Sequence, residues 1–378
     1  MKRKVPYIIM CRLDIFSILL LLAIFSCTPT KPERTEGMDY ASLITVEKAD
    51  SFVKVEIKDA WNKGRMLTTY ILIPKSVPMP SHLPEGTVVR TPVGRAAVFS
   101  TVHASLMIDL GASSSIAGLC DTAYAVRPEL RAMLRQGKIA DLGSSMKADA
   151  ERTAAIRPEA ILVSAFNNAD YGSVSRMDVP IIECADYMEE TPLGRAEWMR
   201  FFGLLFGKSE TADSLFSAIE ARYDSLRTAA SKAQPKPKLL AEARQPGGTW
   251  YVPGADSYLG RLYADAGADY VFSSYKGAGS VPVPLETAYA QGHNADVWLL
   301  KYASPEKLTY AVMAVDFPAY KNFAPWKNRH IYACNTLATP YYETVPFHPD
   351  LLLRDVVGLL HPGVVKDYKP QFFFPLSE

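Results

Sequence analysis

The sequence predicts an α/β protein: two Rossmann-like lobes bridged by one long α-helix, with a ligand cleft between the lobes and an N-terminal β-hairpin extension. Two observations predict this fold class. Short apolar segments that are typical of buried strands alternate with amphipathic segments along most of the chain. One amphipathic stretch, Ser209 to Ser231, is much longer than the others and has this alternation on both sides. A surface helix of one large α/β domain is the alternative that the sequence leaves open.

The long stretch carries the signals of a single helix. Its apolar residues recur every three or four positions and share one stripe of a helix, namely Ala212, Leu215, Phe216, Ile219, Tyr223, Leu226 and Ala230. Ser209 is expected to cap its start, Gly207 ends the amphipathic run before it, and Pro235 and Pro237 prevent its continuation. At 1.5 Å per residue the helix would be about 35 Å long, which is roughly the width of a small domain.

Length and charge restrict the function classes. A chain of 378 residues favours two domains with a substantial core. Its 41 basic and 40 acidic residues nearly balance without long blocks of one sign, so a nucleic-acid surface is not indicated. We predict an N-terminal α/β lobe at 41–208, the interdomain helix at 209–234, and a C-terminal α/β lobe with a C-terminal helix at 235–378.

The N-terminus has the pattern of an export signal. Three basic residues at positions 2–4 precede an apolar run, Ile15 to Phe25, that is too short to span a membrane. The sequence then reads Ser26-Cys27, which resembles a bacterial lipobox with Cys27 as the lipidated first mature residue. Residues 1–27 are therefore a predicted lipoprotein signal peptide and residues 28–40 a flexible tether. We expect a periplasmic protein that lipid on Cys27 anchors to a membrane.

The cysteines of the mature part do not form a disulfide framework. Cys120, Cys184 and Cys334 are odd in number, widely spaced and mostly within apolar segments. Three buried thiols are the favoured state, and one bridge is the alternative.

Strands and helices are predicted along both lobes. The extension is a hairpin of strands at Ser51–Ile57 and Leu67–Ile73, with a turn at Trp61–Gly64. In the first lobe we predict strands at Ala96–Phe99, Ile116–Leu119, Ala160–Val163 and Val179–Glu183, and helices at Ser105–Leu110, Pro128–Arg135, Ala148–Ile156 and Arg195–Phe206. In the second lobe we predict strands at Lys238–Ala243, Tyr270–Phe272, Val297–Leu300 and Ile331–Ala333, helices at Ser257–Ala266, Glu286–Gln291 and Pro349–Leu360, and a helical turn at Phe317–Asn322.

A search for enzyme motifs finds none with the required context. The segment Gly203–Ser209 looks like a phosphate loop but has one residue too few between its glycines, and it follows a helix rather than a strand. The histidines are scattered without metal-ligand spacing. His293 is expected at a helix end, and His348 and His361 are expected to flank the last helix. His103 follows a strand and is the histidine that we place near the cleft.

The loops that follow the predicted strands are the candidate binding site. In an open parallel sheet such loops face a ligand crevice. Aromatic rings among amides and hydroxyls suit a large, partly planar ligand with a polar rim. The candidate ligand-binding residues are Thr101, His103, Tyr124, Ser145, Met146, Phe166, Asn167, Tyr187, Arg244, Trp250, Tyr251, Tyr275, Tyr302, Tyr341 and Tyr342. Ordinary shielding of a core would account for about half of them individually, but it accounts less well for the whole set.

Several phrases in a fixed order resemble a known family. They are Ile108-Asp-Leu-Gly111 with Ile116-Ala-Gly-Leu119, Ile139-Ala-Asp-Leu-Gly143, Ala150-Glu-Arg152 with Arg157–Val163, Leu285-Glu286, Asn294–Trp298 and Ala324–Tyr332. Together they resemble the periplasmic substrate-binding proteins of ABC importers for ferric siderophores, haem and vitamin B12. The resemblance extends from about Arg95 to about Gly363. It implies two lobes joined by a long helix, and a monomer that binds a metal chelate and delivers it to an ABC permease dimer.

The resemblance also implies roles for individual residues. Members place one glutamate per lobe on the rim to pair with arginines of the permease, and Glu286 matches the second-lobe position. In the first lobe the match is poor, leaving Asp170 or Glu151 as candidates. Some haem-binding members coordinate iron with a methionine at the place of Met146, although packing alone would also explain this residue.

The predicted function is that of a lipid-anchored solute-binding protein without catalytic activity and without an intrinsic cofactor. The cargo would be a ferric siderophore, haem or cobalamin, and the sequence does not distinguish them. A chelatase-like enzyme acting on a tetrapyrrole or metal chelate is the first alternative, with His103 and Glu343 as its candidate acid–base or metal groups. A protein that binds free Zn or Mn is the second.

Overall fold

The computed structural model describes residues 38–245 and 247–378, which belong to one compact unit. The predicted signal peptide, Cys27 and residues 28–37 of the predicted tether lie outside the described residues. Met38 is buried, and the backbone N–H groups of Asp39 and Tyr40 donate to the Glu197 carboxylate. The last three residues of the predicted tether are therefore held in place, and the prediction of flexibility is wrong for them. None of the helices in the described part of the chain is both long and apolar enough to cross a membrane.

The N-terminal extension is a four-stranded sheet rather than a hairpin alone. Its strands are β1 (Ile44–Lys48), β2 (Val53–Lys58), β3 (Met66–Pro74) and β4 (Thr87–Thr91), in that spatial order. Strands β1 to β3 are antiparallel and β4 runs parallel to β3. The predicted hairpin is β2–β3, and the prediction misses β1 and β4. Tyr70 joins this sheet to the first lobe, because its hydroxyl donates to the Ile181 carbonyl (3.0 Å) and accepts from the Glu183 N–H (2.7 Å).

The first lobe is built on a parallel sheet. Its strands are β5 (Ala96–Val98), β6 (Ile116–Leu119), β7 (Ala140–Asp141), β8 (Gly143–Ser144), β9 (Lys147–Ala148), β10 (Ala160–Ser164) and β11 (Ile181–Cys184). Five of them pair in parallel in the order β11-β10-β5-β6-β7, and β8 and β9 form a separate antiparallel pair. The helices are α1 (Thr101–Asp109), α2 (Pro128–Arg135), α3 (Ala150–Ala155), α4 (Pro192–Glu197) and α5 (Met199–Phe206). The predicted single helix Arg195–Phe206 is thus two helices, of which the first is capped by Thr191.

The long helix α6 (Ser209–Ser231) covers the predicted amphipathic stretch and ends three residues before the predicted end of the interdomain helix at 234. Its 23 residues make it about 35 Å long. Gly207 ends the preceding helix in the left-handed conformation (φ +66°), as predicted. The predicted cap is wrong: Ser209 is the first helical residue, and the capping position is held by Lys208, whose side chain makes no capping hydrogen bond. Of the predicted apolar stripe, Leu215 and Leu226 are half-buried and the other members are buried.

The second lobe is built on its own sheet. Its strands are β12 (Lys238–Ala241), β13 (Trp250–Pro253), β14 (Asp269–Tyr270), β15 (Ser280–Val283), β16 (Val297–Tyr302), β17 (Ile331–Asn335) and β18 (Phe374–Pro375). The sheet order is β14-β12-β16-β17-β18, parallel except for the β17–β18 pair, while β13 and β15 form an antiparallel pair. The helices are α7 (Tyr258–Asp265), α8 (Leu285–Gly292), α9 (Tyr310–Asp316), α10 (Ala324–Lys327), α11 (Tyr341–Thr344) and α12 (Pro349–Leu360). As predicted, His293 ends α8, and His348 and His361 flank α12.

Helix α6 contacts both lobes. It packs against α4 and α5 of the first lobe and against α7 and α12 of the second. Arg222 Nε donates to Asp350 Oδ2 (2.6 Å), and the Tyr223 hydroxyl donates to Asp265 Oδ2 (2.7 Å). The two five-stranded sheets share no strand pairing in the described residues. The two-lobed, helix-bridged fold is therefore confirmed.

The three described cysteines are buried free thiols, as the sequence favoured. Burial raises the pKa of Cys120 and of Cys334 to about 12, so both remain protonated at neutral pH.

Candidate functional site: a cleft between the two sheets

The loops at the carboxyl ends of the two parallel sheets enclose two adjacent cavities. The larger, which we call the main cavity, has a volume of about 520 Å³, and the second cavity has about 320 Å³. Ala303, Thr336 and Tyr342 line both cavities, so the two are neighbouring compartments of one cleft. Both volumes fall in the range of about 300–1,000 Å³ that is common for small-molecule sites.

Both lobes contribute to each cavity. The first lobe supplies Tyr187 and Arg195 to the main cavity, and Thr101, Tyr124 and Val126 to the second. The second lobe supplies the other lining residues. Thr101 and Tyr187 follow the parallel strands β5 and β11, which explains why these side chains reach the crevice.

Tyrosines dominate the wall of the main cavity. They are Tyr187, Tyr251, Tyr258, Tyr302 and Tyr342. The hydroxyl of Tyr187 donates to the Ala165 carbonyl (2.7 Å), which fixes this ring at the rim of the first lobe. Tyr251 and Tyr342 are about half exposed, at 45% and 52%. The wall can therefore offer flat apolar surface to a ligand before any protein movement.

Arg195 is a nearly buried cation at the border of the two lobes. Its Nε donates to Asp186 Oδ2 (3.2 Å), and its guanidinium carbon lies 5.1 Å from the ring centre of Tyr258 in the second lobe. Asp186 also accepts from His103 Nε2 at 2.9 Å. Burial alone would raise the pKa of Asp186, but His103 and Arg195 lower it by more, so the carboxylate stays ionised.

Lys301 and Glu242 form a second ion pair at the wall of the main cavity. Burial lowers the pKa of Lys301, whereas the Glu242 carboxylate and neighbouring tyrosines raise it by more, so the amine stays charged. Glu242 has a left-handed backbone (φ +62°), which is strained for a residue with a Cβ atom. Its carbonyl accepts from Trp298 Nε1 (2.6 Å), and its N–H donates to the Leu299 carbonyl (2.8 Å). These bonds hold the strained residue against β16.

Direct polar contacts join the two lobes beside the second cavity, which Val126 and Glu343 line. The Glu343 carboxylate accepts from the backbone N–H groups of Val126 (3.0 Å) and Arg127 (2.5 Å). His348 Nε2 donates to Asp109 Oδ2 at the end of α1 (3.0 Å). Burial raises the pKa of Glu343, and the two N–H groups and nearby arginines oppose this rise. The lobes are therefore joined by these polar contacts as well as by α6.

Comparison with known proteins identifies the family. A family model described as periplasmic binding protein matches residues 96–336, which is more than half of the chain. This chain is a periplasmic binding protein. The sequence predicted a periplasmic binding protein, and the family indicates a location outside the cytoplasm.

Relatives and solved structures agree with this family. An uncharacterized lipoprotein of Methanocaldococcus jannaschii is 26% identical over 320 residues, which cover 80% of this chain and 75% of that protein. A periplasmic haem-binding protein of Pseudomonas aeruginosa matches with a TM-score of 0.57 at 17% identity, covering 76% of this chain and 99% of that one. A molybdate-binding periplasmic protein of Haemophilus influenzae matches with a TM-score of 0.58 at 17% identity, covering 73% and 89%. At such identities the structural likeness supports the fold alone.

Part of the predicted site of the binding protein lies in the cleft. Tyr187, Tyr251, Tyr302 and Tyr342 line the main cavity, and Thr101, Tyr124, Tyr341 and Tyr342 line the second. Tyr124 is 65% exposed, whereas Tyr341 is almost fully buried under Phe372 and Phe373. The crevice that the strand-end rule predicted is therefore present.

Two predicted ligand contacts are wrong because the side chains are core residues. His103 is 1% exposed and its Nε2 is hydrogen-bonded to Asp186, so it does not face the cleft. Trp250 is fully buried, stacks on Trp298 with ring centres 5.7 Å apart, and donates from Nε1 to the Ala241 carbonyl (3.0 Å). Both segments follow strands, but their rings turn inward to fill the core.

The other predicted residues lie outside the two cavities. Arg244 lines a neighbouring cavity of about 370 Å³ and is paired with Asp316 at 3.1 Å. Met146 is 80% exposed at the turn between β8 and β9, so the alternative that it packs in the core is wrong. The rest are Ser145, bonded to Asp121; Phe166, packed edge-on against Tyr171; exposed Asn167; and half-buried Tyr275, packed against Phe272.

The predicted docking carboxylates are all exposed. Glu286 lies in the first turn of α8 and Glu151 in the first turn of α3. Asp170 is in a loop, where its Oδ1 accepts from the Gly172 N–H at 2.8 Å. Exposure is compatible with a docking role for each of the three, which stays a prediction.

The charged part of the site was not predicted from the sequence. Arg195, Glu242 and Lys301 were not predicted to bind ligand, nor was Tyr258. Glu242 and Lys301 follow or end buried strands, so the rule that selected Tyr302 could have selected them too. Arg195 lies inside a helical segment, where the sequence carries no signal that the side chain reaches a cleft.

Proposed function

We propose that this protein captures a metal chelate in the cleft and delivers it to an ABC permease dimer. The cargo would be an iron complex, that is a ferric siderophore or haem, or else cobalamin. The protein would act as a monomer, with lipid on Cys27 anchoring it to a membrane and without any catalytic step. The observation that carries the proposal is the main cavity between two separate sheets, with five tyrosines in its wall.

The chemistry of the wall suits such a cargo. Tyrosine rings provide flat apolar contact, and their hydroxyls, together with Gln245, Ser257 and Thr336, provide a polar rim. The structural neighbours described above are named for different ligands, haem in one and molybdate in the other. The fold therefore does not determine which ligand is bound, and the residues that line the cleft must determine it.

The joints between the lobes imply a small closure movement. Helix α6 packs against both lobes, and Glu343 and His348 of the second lobe bind Val126, Arg127 and Asp109 of the first. A large swing would break these contacts. Loading would instead adjust the cleft slightly and present the exposed rim to the permease, with Glu286, and Asp170 or Glu151, as its carboxylates.

Neither alternative function gains support from the described residues. The candidate groups of a chelatase are engaged, His103 with Asp186 and Glu343 with two backbone N–H groups. For the free-metal alternative, residues 38–245 and 247–378 contain no group of three or more His, Cys, Asp or Glu side chains placed to hold an ion. Both alternatives remain separable by experiment.

The test is a titration of the purified protein with haemin, cyanocobalamin and a ferric siderophore, followed by fluorescence and by absorption. We expect saturation at one chelate per protein, with the chelate recovered unchanged. Tyr342→Ala should weaken binding about 2- to 10-fold, because this ring lines both cavities. Tyr289→Ala is the matched control, since Tyr289 is also partly exposed but lies on α8 outside both cavities. Turnover of the chelate, or saturation by free Zn²⁺ or Mn²⁺ alone, would contradict the proposal.

A further inference from the structure

Arg195 has hydrogen-bonding capacity that the protein leaves unused. The residue is 9% exposed and lines the main cavity. Its Nε is bonded to Asp186, but neither terminal nitrogen makes a hydrogen bond to another of the described residues. A guanidinium presents its terminal N–H groups in a planar fork that matches an anionic oxygen pair. The free end of Arg195 is therefore a preformed donor site that opens into the cleft.

The surroundings hold this guanidinium in place before a ligand arrives. Asp186 lies between two donors, His103 Nε2 at 2.9 Å and Arg195 Nε at 3.2 Å. On the far side, the Tyr258 ring of the second lobe faces the guanidinium at 5.1 Å. A long side chain that is already ordered loses little entropy when it binds. His103 and Asp186 are in this way positioning residues for Arg195.

The charges of the main cavity favour the same conclusion. Of the two cations in its wall, Lys301 donates to Glu242, whereas Arg195 gives only its Nε to Asp186, which does not line the cavity, and leaves its terminal nitrogens to the cleft. The wall tyrosines can add hydroxyl donors. A cargo without anionic oxygens would shield the terminal nitrogens of Arg195 from water and offer only neutral acceptors, which bind a guanidinium less strongly.

We propose that the cargo is a chelate of net negative charge and that Arg195 binds one of its anionic oxygen groups. This inference rests on the function proposed above and narrows it. It selects iron tris-catecholates and carboxylate-bearing tetrapyrroles such as haem. It disfavours uncharged ferric trihydroxamates, and also cobalamin, whose anionic phosphodiester is balanced by positive charge within the molecule.

The wild-type protein provides the first test. Its affinity is measured for two anionic probes, haemin and an iron tris-catecholate, and for two neutral ones, a ferric trihydroxamate and cyanocobalamin. We expect at least one anionic probe to bind ten or more times tighter than both neutral probes. Tighter binding of a neutral probe would overturn this inference and leave the proposed function standing. If no probe of either charge bound, the proposed function would fail, and this inference with it.

Variants provide the second test. Arg195→Met should lower the affinity for the anionic probe about 10- to 100-fold, because a charge-assisted hydrogen bond is lost. The double variant Arg195→Met/Asp186→Asn should show the same loss of affinity. Because it has no carboxylate at position 186, it excludes the unpaired Asp186 charge as the cause of that loss. Lys276→Met is the control, since Lys276 is an exposed cation of the second lobe that does not line the cavity. Unchanged affinity of the anionic probe in both Arg195 variants would overturn the assignment.

A third measurement separates positioning from general damage. Asp186→Asn should lower the affinity for the anionic probe several-fold and leave any weak affinity for the neutral probes unchanged. A fold defect would lower both affinities equally, and that result would remove Asp186 and His103 from the role of positioning residues.

Discussion

Glu189 offers a sharp test of how the N-terminal segment is attached to the first lobe. The residue is 2% exposed, and its two carboxylate oxygens accept from the backbone N–H of Ser42 (2.9 Å), the hydroxyl of Ser42 (2.8 Å), the N–H of Leu43 (2.9 Å) and Nε1 of Trp198 (3.0 Å). In Glu189→Gln one oxygen becomes an NH₂ group, which faces N–H donors in either orientation. Hydrogen bonds to a charged acceptor contribute about 1.5–3 kcal/mol each, so losing one and weakening others should lower the free energy of unfolding by about 2–4 kcal/mol.

The neighbouring residue provides a matched control. Glu190 is exposed, and its carboxylate forms a surface ion pair with Arg261 at 3.0 Å. Glu190→Gln should therefore change the free energy of unfolding by less than about 1 kcal/mol. The assay is urea unfolding of both variants and the wild type, combined with limited proteolysis of residues 38–48. If the free energies of unfolding of the two variants differed by less than about 0.5 kcal/mol, the conclusion that buried Glu189 holds Ser42 and Leu43 in place would be refuted.

Three further predictions concern the exposed rim carboxylate Glu286, the stability of the protein at acidic pH, and the close packing of Gly260 against a backbone carbonyl. Glu286→Arg should leave chelate affinity unchanged but prevent uptake by membranes that contain the permease, whereas Glu47→Arg on the N-terminal sheet should affect neither; loss of affinity in the Glu286 variant would contradict its assignment to the rim. Because His103 and Arg195 hold the folded-state pKa of Asp186 below its unfolded value, its contribution to stability is present above about pH 4 and is lost as the pH falls further. The difference in unfolding free energy between wild type and Asp186→Asn should thus shrink from pH 7 to pH 3, and an equal difference at both values would show that the ion pair is not the cause. A Cβ atom at Gly260 would lie 2.2 Å from the Gly254 carbonyl oxygen, so Gly260→Ala should cost about 1–3 kcal/mol in urea unfolding, while Gly279→Ala, with open space around it, should cost less than about 0.5 kcal/mol; equal costs would contradict the close approach.

Much of the fold could be predicted because its signals are local. The stripe from Ala212 to Ala230 has the period of a helix, and α6 forms over the predicted residues. The segments Ile116–Leu119 and Pro128–Arg135 also have their predicted bounds. The predictions fail where partners are distant in sequence. Strand β4 exists because it pairs with β3, and β13 exists because it pairs with β15.

The candidate site was predictable to a smaller extent. The strand-end rule selected Tyr187 and Tyr302, and both line the main cavity, because the carboxyl ends of parallel strands share one edge. The same rule cannot tell which way a ring turns, and Trp250 is buried because Trp298 and Phe323 pack against it from other elements. His103 was selected for its place after a strand, yet its Nε2 is hydrogen-bonded to Asp186, which is far away in sequence.

The sequence by itself determined the two-lobed class, the bridging helix and the family, since periodicity and ordered phrases are properties of the chain. The export signal and the lipidation of Cys27 are likewise predictions that the sequence alone carries. Only the tertiary structure decided which charges meet in the cleft. Arg195 belongs to a short buried helix, and it becomes a donor site because Asp186 binds its Nε from one lobe and Tyr258 faces it from the other. Such contacts join residues that no local period links, so they arise only when the two lobes pack together.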